Sequence, residues 1–324
     1  MRRAGASSND ATILEIAEDL LRKGQSATAA ALGAFFMVAA EHEGTLFGPM
    51  VLLVAGTGRG VKVFDGRLRQ PGLGRKRPRG FLASEAIPRA SRVAVPMSIA
   101  AAAVAMAFDG RSGLGQVIRP ATGRARDAGF PLRAEVLENI ASLGPKALSE
   151  SLLSQAFLRS AGPSVGGIIT PADLRQIPET AFGSAELPCE AGLWSHPFSE
   201  AAGFPVVPVL RQKASEILGP PLVLLTADPE GVLACICFYR PASTVAIEGL
   251  ELAVSASAVP VERGVARVPA GAALYAPTPM AVLTSAQGAY VGCAGFPDAN
   301  VTSLGAIERA RLKLRRDPTT LAVY

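Results

Sequence analysis

A layered sandwich of helices and sheet, α/β or α+β, is the fold class this sequence predicts. Two stretches, Ala27 to Ala40 and Val93 to Phe108, are apolar on nearly every side, and helices of that kind must be covered on most of their surface. After Pro188 the chain changes to short segments rich in Val, Leu and Ile between turn residues, the pattern of strands. Buried helices together with a buried sheet call for stacked layers around a common core.

Taken in order, Asn9 to Lys23 place Ile13, Ile16, Ala17, Leu20 and Leu21 on one face, with Glu15, Glu18, Asp19, Arg22 and Lys23 opposite. That spacing predicts an amphipathic helix stopped by Gly24. A second helix is expected from Ser26 to about Ala40. Met50 to Ala55 and Val61 to Phe64 then read as a hairpin around Gly56-Thr57-Gly58. Arg67 to Arg79 carries six basic residues with two prolines and two glycines, which predicts a loop or arm. "SRVAVP" suggests a short strand before a buried helix that runs to about Phe108 and stops at Gly110. Helical segments follow near Gly115 to Ala128 and Ala134 to Ser160, and Thr170 caps a short helix that has Pro171 at its first position. Strands are expected at Pro221 to Ala227, Gly231 to Tyr239, Thr244 to Glu248, Met280 to Thr284 and Ala289 to Ala294, with a closing helix from about Ser303 to Arg315.

Composition excludes several classes. Of 324 residues, 49% are hydrophobic and 18% charged, so a disordered chain is ruled out. A net charge of +5 does not mark a nucleic-acid binder, and only Phe81 is an aromatic neighbour of the basic loop, which argues against stacking on bases. Cys189, Cys235, Cys237 and Cys293 are too few for a disulfide framework. Cys235 and Cys237 alternate like inert core thiols of a strand, and a reducing compartment is expected. The opening segment turns acidic and helical where a signal peptide would be apolar, so a cytoplasmic protein is expected. The two apolar runs read as buried helices, too short to be membrane spans.

Few motifs carry chemistry. His42 and His196 lack the spacing of a zinc site, no Gly-x-Ser-x-Gly elbow is present, and Gly56 to Gly60 lacks the lysine of a phosphate loop. No metal and no cofactor is expected. His42, between Glu41 and Glu43, reads as a solvated helix terminus before it reads as a general base.

Several segments, in order, resemble the gamma-glutamyltranspeptidase family. "ILEIAEDLLRKGQSATAAALGAFFMVAAEHEG" is similar to its opening helices, "VLLVAGTGRGVKVFDGRLRQPG" to its next hairpin and arginine-containing turn, and "SRVAVPMSIAAAAVAMAFDG" to its valine-alanine-valine-proline segment and helix. "GGIITPADL" resembles the stretch before its self-cleavage site, and "PMAVLTSAQGAYVGCAGFPDANVTSLGAIERA" its C-terminal hairpin, oxyanion loop and helix. The resemblance implies a four-layer αββα sandwich of the N-terminal-nucleophile hydrolase type. It also implies one domain, with residues 1–218 corresponding to the large subunit and residues 219–324 to the small one. In such enzymes self-cleavage frees a threonine whose α-amino group serves as base for its own hydroxyl.

Set against the family's Thr-Thr-His-Phe-Ser-Val-Val-Asp strand, "GPPLVLLTAD" puts Gly219 at the nucleophile. Asp298 and Ala299 stand where the family's oxyanion glycines present their amides. Tyr275 and Ala276 match its substrate-holding serine pair, and its acidic substrate-binding stretch has no counterpart between Ser243 and Leu274. Thr226 is the nearest hydroxyl, either a displaced nucleophile or a turn residue capping Asp228. Arg67 matches the arginine that pairs with the substrate α-carboxylate, a task suited to its planar fork; the other reading makes it the first residue of the basic loop.

These matches lead to the expectation of an uncleaved, non-catalytic binding or complex subunit, acting as a homo-oligomer or with a separately encoded partner. The alternative is a gamma-glutamyl amidohydrolase or transferase using Arg67, Thr226, Asp298 and Asn300 in a remodelled cleft on a small acidic amide. A third reading has the Arg67 to Arg79 loop bind an anionic partner.

Overall fold

A computed structural model describes residues 4–56, 58, 60–75, 80–82, 84–175, 182–183, 185–189, 192–197, 216–265, 267–285, 290–294 and 320–323. Its helices are α1 (Ala11–Arg22), α2 (Ala27–Glu41), α3 (Ser98–Asp109), α4 (Leu114–Asp127), α5 (Pro131–Leu143), α6 (Ala147–Glu150), α7 (Leu152–Ala161) and α8 (Pro171–Leu174). The strands are β1 (Gly5–Ser8), β2 (Met50–Ala55), β3 (Val61–Gly66), β4 (Phe182–Gly183), β5 (Ala185–Cys189), β6 (Gly192–His196), β7 (Pro221–Ala227), β8 (Leu233–Tyr239), β9 (Thr244–Ile247), β10 (Leu252–Ser255), β11 (Met280–Ser285), β12 (Tyr290–Ala294) and β13 (Thr320–Val323).

The strands form a six-stranded sheet ordered β1-β7-β8-β2-β3-β4, a five-stranded sheet ordered β13-β12-β11-β6-β5, and the hairpin of β9 and β10. Pairing within each is antiparallel.

Alternation along the central strands separates two cores, because successive side chains point to opposite faces. Leu52, Val54, Leu224, Ile236 and Phe238 face the helices, while Val51, Leu53, Val223, Leu225, Cys235 and Cys237 join Met280 and Val282 of the second sheet. With both faces covered, such strands read as continuous apolar runs. The result is an α+β sandwich with helix, sheet and sheet layers among the described residues. The helix expected over Ser303 to Arg315 lies outside them.

Helix α2 lies against β7 and β8, and every residue in it except Met37 and Glu41 is buried. Its apolar circumference is covered by α1, α4 and the sheet. Gly33 permits this, since a Cβ there would sit 2.7 Å from Leu20 Cδ1 of α1. Asp10 and Ser26 cap α1 and α2 through their side chains, α3 ends at Gly110 with φ 72°, and Thr170, the expected cap of α8, forms a capping box with Asp173. No helix among the described residues is long and apolar enough to cross a membrane.

Two expected elements take other forms. The stretch from Ala134 to Ser160 is divided among α5, α6 and α7, broken at Gly144-Pro145 and again at Ser151, whose hydroxyl caps α7. "SRVAVP" is a short 3-10 turn at Arg89–Arg92 followed by one bridge, Val95 to Arg69. Pro96 has no N–H with which to extend that pairing.

Candidate active site at the entry to strand β7

The strand register assigns one end of the six-stranded sheet to the family-matched residues. Pro221 pairs with Tyr239, Phe238 with Met50 and Met50 with Gly66, so Gly219, just before β7, and Arg67, just after β3, lie at the same end. Three interstrand steps of about 4.8 Å set them roughly 14 Å apart across the sheet.

Gly219 adopts φ 70°, and a Cβ on it would approach Arg240 O at 3.3 Å. The preceding turn is anchored by Ser243 N–H donating to Ile217 O at 3.0 Å. Leu218, Tyr239, Ala276 and Met280 are buried in the intersheet core, with Tyr275 packed against it. The Tyr239 hydroxyl donates to Pro277 O; burial, followed by Cys237 nearby, raises its pKa well above the usual phenol value. This corner is thus filled by hydrocarbon and by a phenol held neutral.

Arg67 is 6% exposed. Its Nε donates to Asp65 Oδ1 at 3.0 Å and its Nη2 to Asp65 Oδ2 at 3.0 Å, and Arg69 Nη2 reaches Oδ2 at 2.9 Å. Burial alone would raise the Asp65 pKa, but Arg67 and then Arg69 hold it below the ordinary carboxylate value. Asp65 was missed in the sequence, although a lone carboxylate in "VKVFDG", two residues from the singled-out arginine, is a readable signal. The loop after Arg67 is tied down by Asp173, which accepts from the N–H groups of Gly72 and Leu73 at 2.9 Å each.

Thr226 lies at the far end of β7. It is fully buried, and its Oγ1 donates to Ala27 O at 2.8 Å. This corrects the expectation that it caps Asp228. Asp228 instead accepts from Ala27 N–H, Val232 N–H and Arg111. Asp298, Ala299 and Asn300 lie outside the described residues. His42 is the C-terminal cap of α2, its pKa lowered by burial and by Arg240. His196 is buried in β6. Burial raises the thiol pKa of Cys235, and that of Cys237 to about 12. No group of three or more metal-binding side chains occurs among the described residues.

No family model and no curated protein sequence matches the chain. Solved structures do. A variant of LmbA2991 aligns with 92% of this chain and 79% of its own at TM-score 0.68 and 13% identity. A cephalosporin acylase from Bacillus halodurans aligns with 88% of this chain and 75% of its own at TM-score 0.61 and 13% identity. A gamma-glutamyltranspeptidase from Pseudomonas nitroreducens aligns with 61% of this chain and 72% of its own at TM-score 0.48 and 17% identity. The chain therefore shares its fold, an α+β sandwich, with the LmbA2991 and cephalosporin acylase structures.

Proposed function

We propose that this chain is a gamma-glutamyltranspeptidase-like protein without a catalytic nucleophile, acting as a binding or complex subunit. The entry to β7 carries the reading. From Ile217 to Leu225 no residue bears a hydroxyl or thiol, and Gly219 holds a backbone conformation that disfavours any side chain. A nucleophile of this superfamily needs a hydroxyl beside its own freed α-amino group, and the first hydroxyl on β7, Thr226, is committed to α2. At the oxyanion loop, Asp298 in place of a glycine would set a carboxylate against the developing negative charge.

The second reading is an amide hydrolase or acyltransferase that anchors an acidic substrate through Arg67. The bidentate pair with Asp65 weighs against it, because a ligand carboxylate would have to displace a buried one. We further infer that the chain remains uncleaved between its 1–218 and 219–324 parts as one domain. It would work beside a second copy or a separately encoded protein, in the cytoplasm.

Intact mass spectrometry and turnover of a γ-glutamyl anilide test the proposal together. A single chain of full mass with no anilide release is expected. Fragments split before Gly219, or release that Arg67→Ala abolishes, would overturn it.

A further inference from the structure

We propose that Leu82, Arg263, Val265 and Arg267, with the basic stretch that reaches Gly80, dock this chain on an anionic lipid surface. Residues 75–85 and 261–270 hold six basic residues against Glu85 and Glu262, so these two short stretches carry a net charge of +4 where the whole chain carries +5. The earlier arginines of the loop are not available, because Arg67 and Arg69 are held on Asp65. The surface uses neither Gly219 nor Arg67 and does not depend on the function argued for them.

One bridge brings the two stretches together. Phe81 pairs in parallel with Glu262; its N–H donates to Val261 O at 2.8 Å and its carbonyl accepts from Arg263 N–H at 2.9 Å. Side chains alternate along such a pair. Phe81 points inward, 8% exposed, so Gly80, Leu82 and Arg263 share the outer side. The contact agrees, since a Cβ on Gly80 would meet Arg263 Cγ at 3.2 Å. Lys76, Arg77 and Arg79 directly precede Gly80 in the sequence, and before them Arg75 Nη1 donates to Gly167 O at 3.3 Å. Beyond Arg263 the chain turns through Gly264, φ 80°, to Val265, whose N–H donates back to Glu262 O.

Two features favour a lipid surface over other anions. Leu82 and Val265 are 43% and 55% exposed beside the arginines. On a bilayer, guanidiniums meet headgroup phosphates while neighbouring aliphatic side chains leave water for the interface. A nucleic acid would take the charges and leave the aliphatics wet, and the nearby aromatic ring, Phe81, faces inward where no base can stack on it. The second feature is freedom. Arg263 and Arg267 are exposed, and their side chains make no hydrogen bond or ion pair among the described residues. Recognition of one particular carboxylate rewards a guanidinium already held in place, as Asp65 holds Arg67; a laterally fluid layer of phosphates needs no such geometry. A symmetric pair of copies would set this charge against itself.

Co-sedimentation of the full chain with vesicles tests the proposal. Binding is expected to phosphatidylcholine vesicles containing about one-third phosphatidylserine and not to phosphatidylcholine alone, and it should fall steeply as salt is raised. Arg263→Gln combined with Arg267→Gln should weaken it roughly thirtyfold, about fivefold for each charge. Leu82→Asn combined with Val265→Asn leaves the charge unchanged; it should weaken vesicle binding at least about fivefold while retention on poly-L-glutamate stays at the wild-type level. All four positions are exposed, so the unfolding temperatures should match wild type. Equal binding to both kinds of vesicle, or wild-type vesicle binding by either double variant, would overturn the proposal. Tighter binding to poly-L-glutamate or to a polyuridine strand than to the anionic vesicles at equal charge would also overturn it, and would assign an acidic protein or a nucleic acid instead.

Discussion

Arg67 and Asp65, two residues apart, satisfy each other through parallel hydrogen bonds, and the Arg67 amide adds a third bond to Oδ1 at 2.9 Å. Their side chains are 7% and 3% exposed. Removing one member of such a pair strands a buried charge, so Asp65→Asn should cost about 3–5 kcal/mol. The pH dependence has a definite sign. Arg67 and Arg69 hold the folded Asp65 pKa below its unfolded value. The stability it contributes is complete above about pH 4 and is lost as pH falls through the folded pKa. Urea unfolding from neutral to acid pH should show wild type losing stability below that point and Asp65→Asn losing less; parallel curves would remove Asp65 from the account.

Gly219→Thr tests whether a nucleophile can simply be put back. The backbone at φ 70° is open to glycine and costs an L-residue about 1–2 kcal/mol, and the new Cβ meets Arg240 O at 3.3 Å. The variant should melt several degrees lower and remain a single chain by intact mass. Self-cleavage before residue 219 would mean that the loop adopts a productive geometry after all.

The elements legible in the sequence are those whose burial is written into a continuous stretch. Helix α2 and strands β2, β7 and β8 are apolar almost throughout, because each is covered on two sides. Strand β1 has no such signal. Its residues, Gly-Ala-Ser-Ser, pair with β7 through the backbone, and Asn9 continues the edge by donating from Nδ2 to Pro221 O while its Oδ1 accepts from Val223 N–H. That partner is more than 200 residues away, beyond any local pattern. Strands β5 and β6 were unread for a similar reason, being short and interrupted by polar residues and Pro188. In the candidate site, the type and position of Arg67 were readable, but its engagement by Asp65 depends on how β3 ends. The left-handed turn at Gly219 is likewise set by the chain passing at Arg240.

The strand thiols should be chemically silent. Cys235 and Cys237 are fully buried, and desolvation alone raises both pKa values, that of Cys237 to about 12. Alkylation proceeds through the thiolate, so neither residue should be labelled by iodoacetamide at pH 8 in the native protein. Both should react fully in guanidinium. Peptide mapping after a timed pulse reads each site separately, and native labelling of either would place that thiol outside the intersheet core.

Thr226→Val separates a structural hydroxyl from a displaced nucleophile. The hydroxyl ties β7 to the first residue of α2 through Ala27 O at 2.8 Å, with Ala234 O a longer second acceptor at 3.4 Å. Valine keeps the branched shape and deletes the donor, leaving a buried carbonyl short of a partner, a loss of about 1–3 kcal/mol. The structural role thus predicts a lower denaturation midpoint with no change in chemistry. A nucleophile predicts the reverse, a modest stability effect and the disappearance of any covalent adduct with an acylating inhibitor. Adduct mass and denaturation midpoint, measured on the same preparation, discriminate the two, because Thr226 has no exposed surface through which an acyl donor could reach it without unfolding that end of β7.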